Sequence, residues 1–196
     1  MTPERNIRLT EVLNRRQPDL TVVLENVTDP HNIAAVMRTC DAVGIQDIFI
    51  LNTIIPIPKK WGSKTSSSAA KWLTIHEFTD AEACFTALRK RSDRIYTTHL
   101  GSGSKSLYEL DLTLSVALIF GNEHSGISGE LIERSDGNFI IPQAGIIKSL
   151  NISVACAVTL YEAYRQKTLA GHYQGSRLPA ERLSELKDQW GFNGEE

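Results

Sequence analysis

The sequence has few of the residues that build disulfide frameworks, metal centres or membrane spans. Its three cysteines, Cys40, Cys84 and Cys156, are odd in number and far apart, which excludes a disulfide framework and zinc-like spacing. The five histidines show no paired ligand spacing, so we predict no metal. No apolar run approaches the length of a membrane helix, and the N-terminus lacks the apolar core of a signal peptide. We therefore predict a cytoplasmic protein.

The composition is typical of a single globular domain. The chain has 196 residues, of which 41% are hydrophobic and 22% are charged. The net charge of -2 neither favours nor excludes nucleic acid, because the local distribution of charge matters more.

Basic residues form two local clusters. The first lies in the N-terminal segment and contains Arg5, Arg8, Arg15 and Arg16. The second contains Lys59, Lys60, Lys64 and Lys71, with Trp61 and Trp72 between them. Either cluster is suited to a phosphate backbone, and ordinary solvated surface charge is the alternative for each.

Short apolar runs alternate with helical patterns along most of the chain. Six runs predict strands, within residues 20–24, 47–51, 72–78, 94–98, 115–120 and 138–141. Helices are predicted at residues 3–16, 33–43, 80–91, 129–134, 152–165 and 179–190. This alternation predicts an α/β domain with a mostly parallel six-stranded sheet and helices on both faces.

Three loops follow predicted strands at the edge where parallel strands end. Residues 98–104 include a glycine-serine turn, residues 121–126 read GNEHSG, and residues 141–150 carry one charge. Ligands enter open α/β sheets at this edge, so the loops are candidates for one shared pocket. The glycine-serine turn lacks the spacing of a nucleotide fingerprint. For the third loop alone, an ordinary connection and a ligand held between Ile141 and Leu150 both remain open.

Three motifs, in their order along the chain, resemble those of the SPOUT class of methyltransferases. They are ENVTDPHNIAAVMRTCDAVG, LIFGNEHSGIS and IIPQAGIIKSLNISVACAV. Within this class the chain is similar to the TrmH family of tRNA guanosine 2′-O-methyltransferases. The run RRQPDLTV near the N-terminus resembles the tRNA enzymes rather than their ribosomal relatives.

The resemblance implies a domain organisation and a partner. Residues 20–166 would form the methyltransferase domain, with a deep trefoil knot at its C-terminal end. Residues 1–19 would be a basic helix that contacts tRNA, and residues 167–196 a linker and helix. The family is an obligate homodimer. The helix after Asn151 is expected in the dimer interface, with a place in the intramolecular core as the alternative.

The resemblance also implies a cofactor and a reaction. S-adenosylmethionine would bind against Thr98, Leu100, Gly121, Ile141 and Leu150. Its methyl group would go to the ribose 2′-oxygen of a guanosine in the tRNA D-loop, at position 18. Two alternatives are a 2′-O-methyltransferase for ribosomal RNA or another tRNA position, and an inactive RNA-binding protein.

The resemblance assigns the central chemical role to Arg38. A ribose hydroxyl is weakly acidic, so its methylation needs a base or a group that stabilises the alkoxide. Lowering the pKa of an arginine from its ordinary value to 7 would cost roughly 7.5 kcal/mol, and guanidinium normally stays charged. Two roles therefore remain open: Arg38 is the base, or it holds the phosphate and the oxyanion while water takes the proton.

Four further polar residues are expected to take part in catalysis. Asn32 would orient Arg38 or the ribose, with a plain helix cap as the alternative. Glu123 would hold Arg38 or the loop backbone, with a surface carboxylate as the alternative. Ser149 and Asn151 would fix the third loop and the approach of the substrate, although both types of residue also start helices.

Overall fold

The fold alternates strands and helices, and a computed structural model describes it for residues 2–57, 69–101 and 103–192. The described strands are β1 Leu20–Glu25, β2 Asp47–Leu51, β3 Thr74–Phe78, β4 Arg94–Thr98, β5 Lys105–Ser106, β6 Val116–Phe120 and β7 Gly137–Ile140. The described α-helices are α1 Pro3–Asn14, α2 Pro30–Ala42, α3 Ala81–Arg89, α4 Gly129–Arg134, α5 Ile152–Leu169 and α6 Ala180–Gln189. Most of the second basic cluster lies outside the described residues.

The seven described strands form one sheet in the order β3-β2-β1-β6-β4-β7-β5, and every pair is parallel. The predicted parallel α/β sheet is confirmed, but six strands was wrong. The sequence missed β5 because its two residues are too short to show a period. The third strand also starts later than predicted, because Ala70–Trp72 form a short 3-10 helix before it.

Helices cover both faces of the sheet, as predicted. α2 and α5 pack on one face, where Met37 and Leu160 join a core with Val22 of β1. α3 and α4 cover the other face, where Leu88 packs with Val23. Both faces of β1 are therefore buried, which explains why apolar residues of its sequence, LTVVLE, point to both faces instead of alternating with polar ones.

The N-terminal and C-terminal helices pack on each other through a separate apolar cluster. Leu9 and Leu13 of α1 share this cluster with Leu186 and Trp190 of the C-terminal segment. This contact joins the two ends of the chain into one structural unit beside the sheet. No helix within the described ranges is long and apolar enough to cross a membrane.

Candidate functional site

The carboxyl ends of β6, β4 and β7 open into one cleft. These strands are neighbours in the sheet, so the loops that follow them meet at the same edge. The cleft has a volume of about 790 Å³ and is lined by all three loops and by the start of α5. The convergence expected from the order of the strands is therefore present in the structure.

The residues predicted to bind the cofactor lie on the walls of this cleft: Thr98, Leu100, Gly121, Ile141 and Leu150. Thr98 is held in place because its hydroxyl donates a hydrogen bond to the carbonyl oxygen of Ile119, at 3.1 Å. Leu100 and Leu150 are 67% and 38% exposed, so apolar surface faces the cleft without a partner. A flat aromatic ring such as adenine fits between side chains of this kind.

The backbone of the third loop adds hydrogen-bonding groups to these apolar walls. Within the described chain, residues 142–150 make no backbone–backbone hydrogen bond. These residues are exposed, and apart from the carbonyl oxygen of Lys148, which accepts from Gln143 at 3.4 Å, their backbone groups are available to the polar edge of a ligand. Apolar walls with a few convergent polar groups suit S-adenosylmethionine, whose adenine is flat and whose other end is charged.

The second loop is a tight turn organised by Asn122. Its side-chain oxygen accepts hydrogen bonds from the backbone amides of His124 and Ser125, at 2.8 and 3.1 Å. Gly121 precedes this turn, and a Cβ there would lie 2.3 Å from the carbonyl oxygen of Gly126. No side chain fits at Gly121. Sequence analysis did not assign a role to Asn122, although an asparagine that bonds the amides two and three residues ahead is a recognisable turn signal.

Three polar side chains from the three motifs form a hydrogen-bonded network at the cleft. Asn32 donates to Oε1 of Glu123 at 2.7 Å, and Asn151 donates to Oδ1 of Asn32 at 3.1 Å. Asn32 is buried, and Asn151 and Glu123 line the cleft. The network therefore fixes the second and third loops to the start of α2.

The structure shows which of Asn32 and Asn151 caps a helix. The helix cap of α2 is Asp29, whose side chain accepts a hydrogen bond from the amide of His31 at 2.8 Å. The cap interpretation of Asn32 was therefore wrong. Asn151 serves in two ways, because its Oδ1 caps α5 through the amide of Ser153 at 2.8 Å while its Nδ2 donates to Asn32.

Arg38 lies apart from this network. It is exposed on α2, six residues after Asn32, which corresponds to about 9 Å along the helix axis. It is not among the residues that line the cleft. Within the described residues no hydrogen bond or ion pair holds its side chain, so the predicted contact with Glu123 is absent from the single chain.

The remaining predicted residues are exposed, except for Arg16. Ser149 is exposed and lines the cleft. Arg5, Arg8 and Arg15 are exposed on or beside α1. Arg16 is fully buried, and this corrects the prediction that its guanidinium contacts RNA.

Arg16 instead joins several elements of the fold. Its Nη2 pairs with Oδ1 of Asp41 at 2.7 Å, and its Nη1 donates to the carbonyl oxygen of Ile45 at 2.9 Å. The guanidinium also lies 5.2 Å from the centre of the Trp190 ring. Burial lowers the pKa of Arg16 below its usual value, although the Asp41 carboxylate opposes this shift.

Comparisons with known proteins agree with this geometry. Residues 19–161 match the SpoU rRNA Methylase family. The tRNA (guanosine(18)-2′-O)-methyltransferase of Thermus thermophilus is 41% identical over 189 residues, which cover 96% of each chain. The crystal structure of the A. aeolicus TrmH/SpoU tRNA modifying enzyme superposes with a TM-score of 0.86 at 35% identity, covering 95% of this chain and 94% of that one.

A third relative was solved with the expected cofactor. The AdoMet-bound rRNA methyltransferase of Sinorhizobium meliloti has a TM-score of 0.66 at 28% identity, covering 79% of this chain and 59% of that one. The family match spans most of the chain and contains all three loops of the cleft. The protein belongs to the SpoU rRNA Methylase family, and its resemblance to the TrmH enzymes is confirmed.

Proposed function

We propose that this protein methylates the ribose 2′-oxygen of guanosine 18 in tRNA, with S-adenosylmethionine as methyl donor. The observation that carries this proposal is the meeting of three motif loops in one cleft, joined by the Asn151–Asn32–Glu123 network. Near-full-length relatives carry the name of this activity. The protein is therefore an enzyme, a tRNA (guanosine-2′-O-)-methyltransferase.

The residues of the cleft would hold the cofactor and place the methyl group. Bound S-adenosylmethionine supplies an electrophilic methyl carbon attached to a sulfonium. Leu100, Ile141 and Leu150 would enclose the adenine, and the open backbone of residues 142–150 would bind its polar edge. Ser149 and Asn151 would limit the approach of the ribose.

A sulfonium needs no activation by a metal, so dialysis of the protein against a chelator should leave the rate of methyl transfer unchanged.

Arg38 would act on the substrate rather than on the cofactor. Its exposed guanidinium can form the planar fork that a phosphate accepts. A fixed positive charge beside the 2′-oxygen would also stabilise the developing alkoxide. Its place outside the cleft of its own chain means that a second copy of the protein is the simplest source of the arginine at each cleft.

We accordingly propose a homodimer. Apolar side chains of α5 remain unburied in the single chain, among them Val154, Tyr161 and Leu169, which are 47%, 55% and 77% exposed. Exposed apolar area on an otherwise packed helix marks an interface. Light scattering should give twice the mass of the chain, and Tyr161→Glu should shift the protein to monomers. A monomeric wild type that is active would contradict the proposal.

A mixing experiment tests where Arg38 acts. Arg38→Ala and Asn151→Ala would each be inactive alone. If the arginine of one copy serves the cleft of the other, mixed dimers contain one intact site and regain activity. Mixtures that stay inactive, although mass measurements show that they exchange subunits, would place Arg38 and Asn151 of the same chain together.

We also propose that the C-terminal part of the backbone is knotted. The support is that the chain leaves β4 at Thr98 on one side of β7 and enters β5 at Lys105 on the other side, and that β7 leads directly into the third motif. A knot shortens the chain when it is pulled from both ends. Single-molecule stretching should therefore give a contour length below about 3.3–3.6 Å per residue. A full contour length would exclude the knot.

The exposed arginines Arg5, Arg8 and Arg15 are proposed to bind the tRNA backbone, with residues 1–19 as the tRNA-contacting segment and residues 167–196 as its support. Residues 20–166 would carry out the reaction. Since tRNA is the proposed substrate, we expect the protein in the cytoplasm.

One experiment tests the function directly. The purified protein is incubated with labelled S-adenosylmethionine and total tRNA, and the modified nucleotide is mapped, with Arg38→Ala as the matched inactive control. Label at the 2′-oxygen of guanosine 18 is the expected result. Label only in ribosomal RNA or at another tRNA position would replace this substrate, and cofactor binding without methyl transfer to any RNA would contradict the enzyme.

A further inference from the structure

The turn that forms one wall of the cleft passes around a neighbouring strand. Thr98, at the end of β4, and Lys105, at the start of β5, both pair with Phe139 of β7. β4 and β5 lie on opposite sides of β7, so the chain moves from one side of β7 to the other within residues 99–104. His99 and Leu100 of this turn line the cleft. The position of the turn therefore sets part of the shape of the cleft.

A side chain on β7 holds the turn in place. Nδ2 of Asn138 donates to the carbonyl oxygen of His99 at 2.9 Å and to Oγ of Ser104 at 2.6 Å. Ser104 Oγ also accepts from the amide of Gly101 at 3.0 Å, and its proton is within reach of the carbonyl oxygens of Gly101 and His99, at 2.8 and 3.0 Å. The Asn138–Ser104 pair thus fastens both ends of the turn.

The turn has little other support. Among the described residues of 99–104, one backbone–backbone hydrogen bond is present, from Ser104 to Gly101 at 3.3 Å. A Cβ built at Gly101 would lie 3.0 Å from the His99 ring and 3.5 Å from Nδ2 of Asn138, so the turn is closely folded over this pair. Asn138 itself does not line the cleft. It acts on the cleft only through the turn.

We infer that Asn138 and Ser104 are positioning residues that order the Thr98–Gly101 wall before the cofactor binds, and so set the affinity for S-adenosylmethionine. This inference rests on the proposed function of the cleft. A wall that must be ordered during binding weakens the complex, because part of the binding free energy is used to order it. Loss of either side chain should change cofactor affinity and leave tRNA affinity unchanged, since both act only through the wall proposed to bind the cofactor.

Calorimetry with S-adenosylmethionine tests the inference without a methyl-transfer assay. Asn138→Ala and Ser104→Ala are each expected to raise Kd about 10-fold, the effect of losing about one to two neutral hydrogen bonds. The double variant should bind only slightly more weakly than either single variant, because both changes break the same network. Asn138→Asp keeps the shape but removes both donors, and should bind no better than Asn138→Ala.

Two further measurements separate positioning from general stability. The KM for S-adenosylmethionine should rise in Asn138→Ala, while the KM for tRNA and kcat at saturating cofactor stay near wild type. Ser115→Ala is the matched control, since it removes a 2.6 Å side-chain hydrogen bond to the carbonyl oxygen of Arg91 at the opposite end of the sheet. It should lower Tm without changing Kd.

The outcomes distinguish this inference from the proposed function. Wild-type affinity in Asn138→Ala, Ser104→Ala and the double variant would overturn the inference and leave the function standing. A wild type that does not bind S-adenosylmethionine would overturn the function. In that case the effect on affinity is overturned as well, and hydrogen exchange tests the ordering of the wall alone: the Gly101 amide of the free protein should exchange faster in Asn138→Ala, and an unchanged rate would show that the pair does not order the wall.

Discussion

Asn32 is the residue on which the geometry of the cleft depends most directly. It is buried and touches one residue from each of the other two motifs, so a single amide links the second loop to the third. An amide can donate to one neighbour and accept from the other at the same time. Aspartate has the same shape but cannot donate when it is ionised.

This difference gives a pH-dependent prediction at the residue scale. Asn32→Asp would place two carboxylates in contact, where one of them must bind a proton or move away. We expect turnover about 10-fold below wild type at neutral pH, with partial recovery as the pH falls and one carboxylate of the pair becomes protonated. Single-turnover methylation between pH 5.5 and 8 measures this.

The control for Asn32→Asp is Gln189→Glu, at the exposed end of α6. It adds the same charge far from the cleft and should follow the wild-type pH profile. A flat ratio of Asn32→Asp to wild type across this range would contradict the role of the network.

Arg38 supports a second prediction at this scale. Arg38→Ala should lower methyl transfer at least about 100-fold, the lower range of effects for a residue that assists proton transfer. Arg38→Lys should also stay well below wild type, because an ammonium cannot form the planar fork. Kd for S-adenosylmethionine should not change, since Arg38 is proposed to act on the substrate rather than on the cofactor. Near-normal turnover of Arg38→Lys would contradict the proposed role.

At the scale of elements, α1 has one face that is structural and another that is free. Leu9 and Leu13 are buried against the C-terminal helix, and Arg5 and Arg8 are exposed. Deleting the helix would therefore expose apolar surface as well as remove charge, so a loss of tRNA binding in that variant would have two causes. Point substitutions separate these causes.

Substitution of the exposed arginines should change tRNA binding, whereas substitution of the buried Arg16 should change stability. Joint replacement of Arg5, Arg8 and Arg15 by alanine should weaken tRNA binding and lower its salt dependence by about one unit of slope per lost phosphate contact, with Tm unchanged. Arg16→Met should lower the free energy of unfolding by about 2–3 kcal/mol, because the substitution removes the buried guanidinium that bonds Asp41 and the carbonyl oxygen of Ile45. Titration at several salt concentrations and urea unfolding measure the two effects.

The same elements show what local patterns predict well. The central residues of each predicted strand and helix lie in the corresponding element of the structure, because apolar periodicity and turn residues act over a few positions. The start of α2 was placed too late. Asp29 and Pro30 form the capping residue and first turn, a signal that the sequence contains. α5 runs four residues beyond the predicted Arg165, since Lys167 is buried and no breaker precedes Gly171.

At the scale of the whole molecule, an ionic cluster stabilises the edge of the sheet opposite the cleft. Asp47 accepts hydrogen bonds from His76 and is paired with Arg91, both at 2.7 Å. Burial raises the pKa of Asp47, but the bonds from His76 and Arg91 outweigh it and hold the pKa below its usual value of 3.8. A carboxyl with a lowered pKa stabilises the fold above the unfolded pKa, and this contribution is lost as the pH falls through the folded pKa.

Asp47→Asn should therefore be less stable than wild type by about 1.5–3 kcal/mol at pH 7, the range for hydrogen bonds to a charged group. The difference should shrink as the pH falls from 3.8 towards the lowered folded pKa, because the carboxyl binds a proton in the unfolded chain first and in the folded protein only at lower pH. Urea unfolding at pH 7 and pH 3 measures it. Asp93→Asn, an exposed carboxylate at the same edge, should match wild type at both values, and a pH-independent difference for Asp47→Asn would exclude the linkage.

The sequence alone determined the order of the elements, the parallel sheet and the loops that meet at the cleft, since these follow from patterns within a few residues and from the rule that parallel strands end at one edge. Only the tertiary structure decided which single polar side chains are buried and which partners they bond. Arg16 is buried against a residue 25 positions away, and Asn32 bonds to partners 91 and 119 positions away. Such partners are brought together by the packing of distant elements, and no local pattern carries that information.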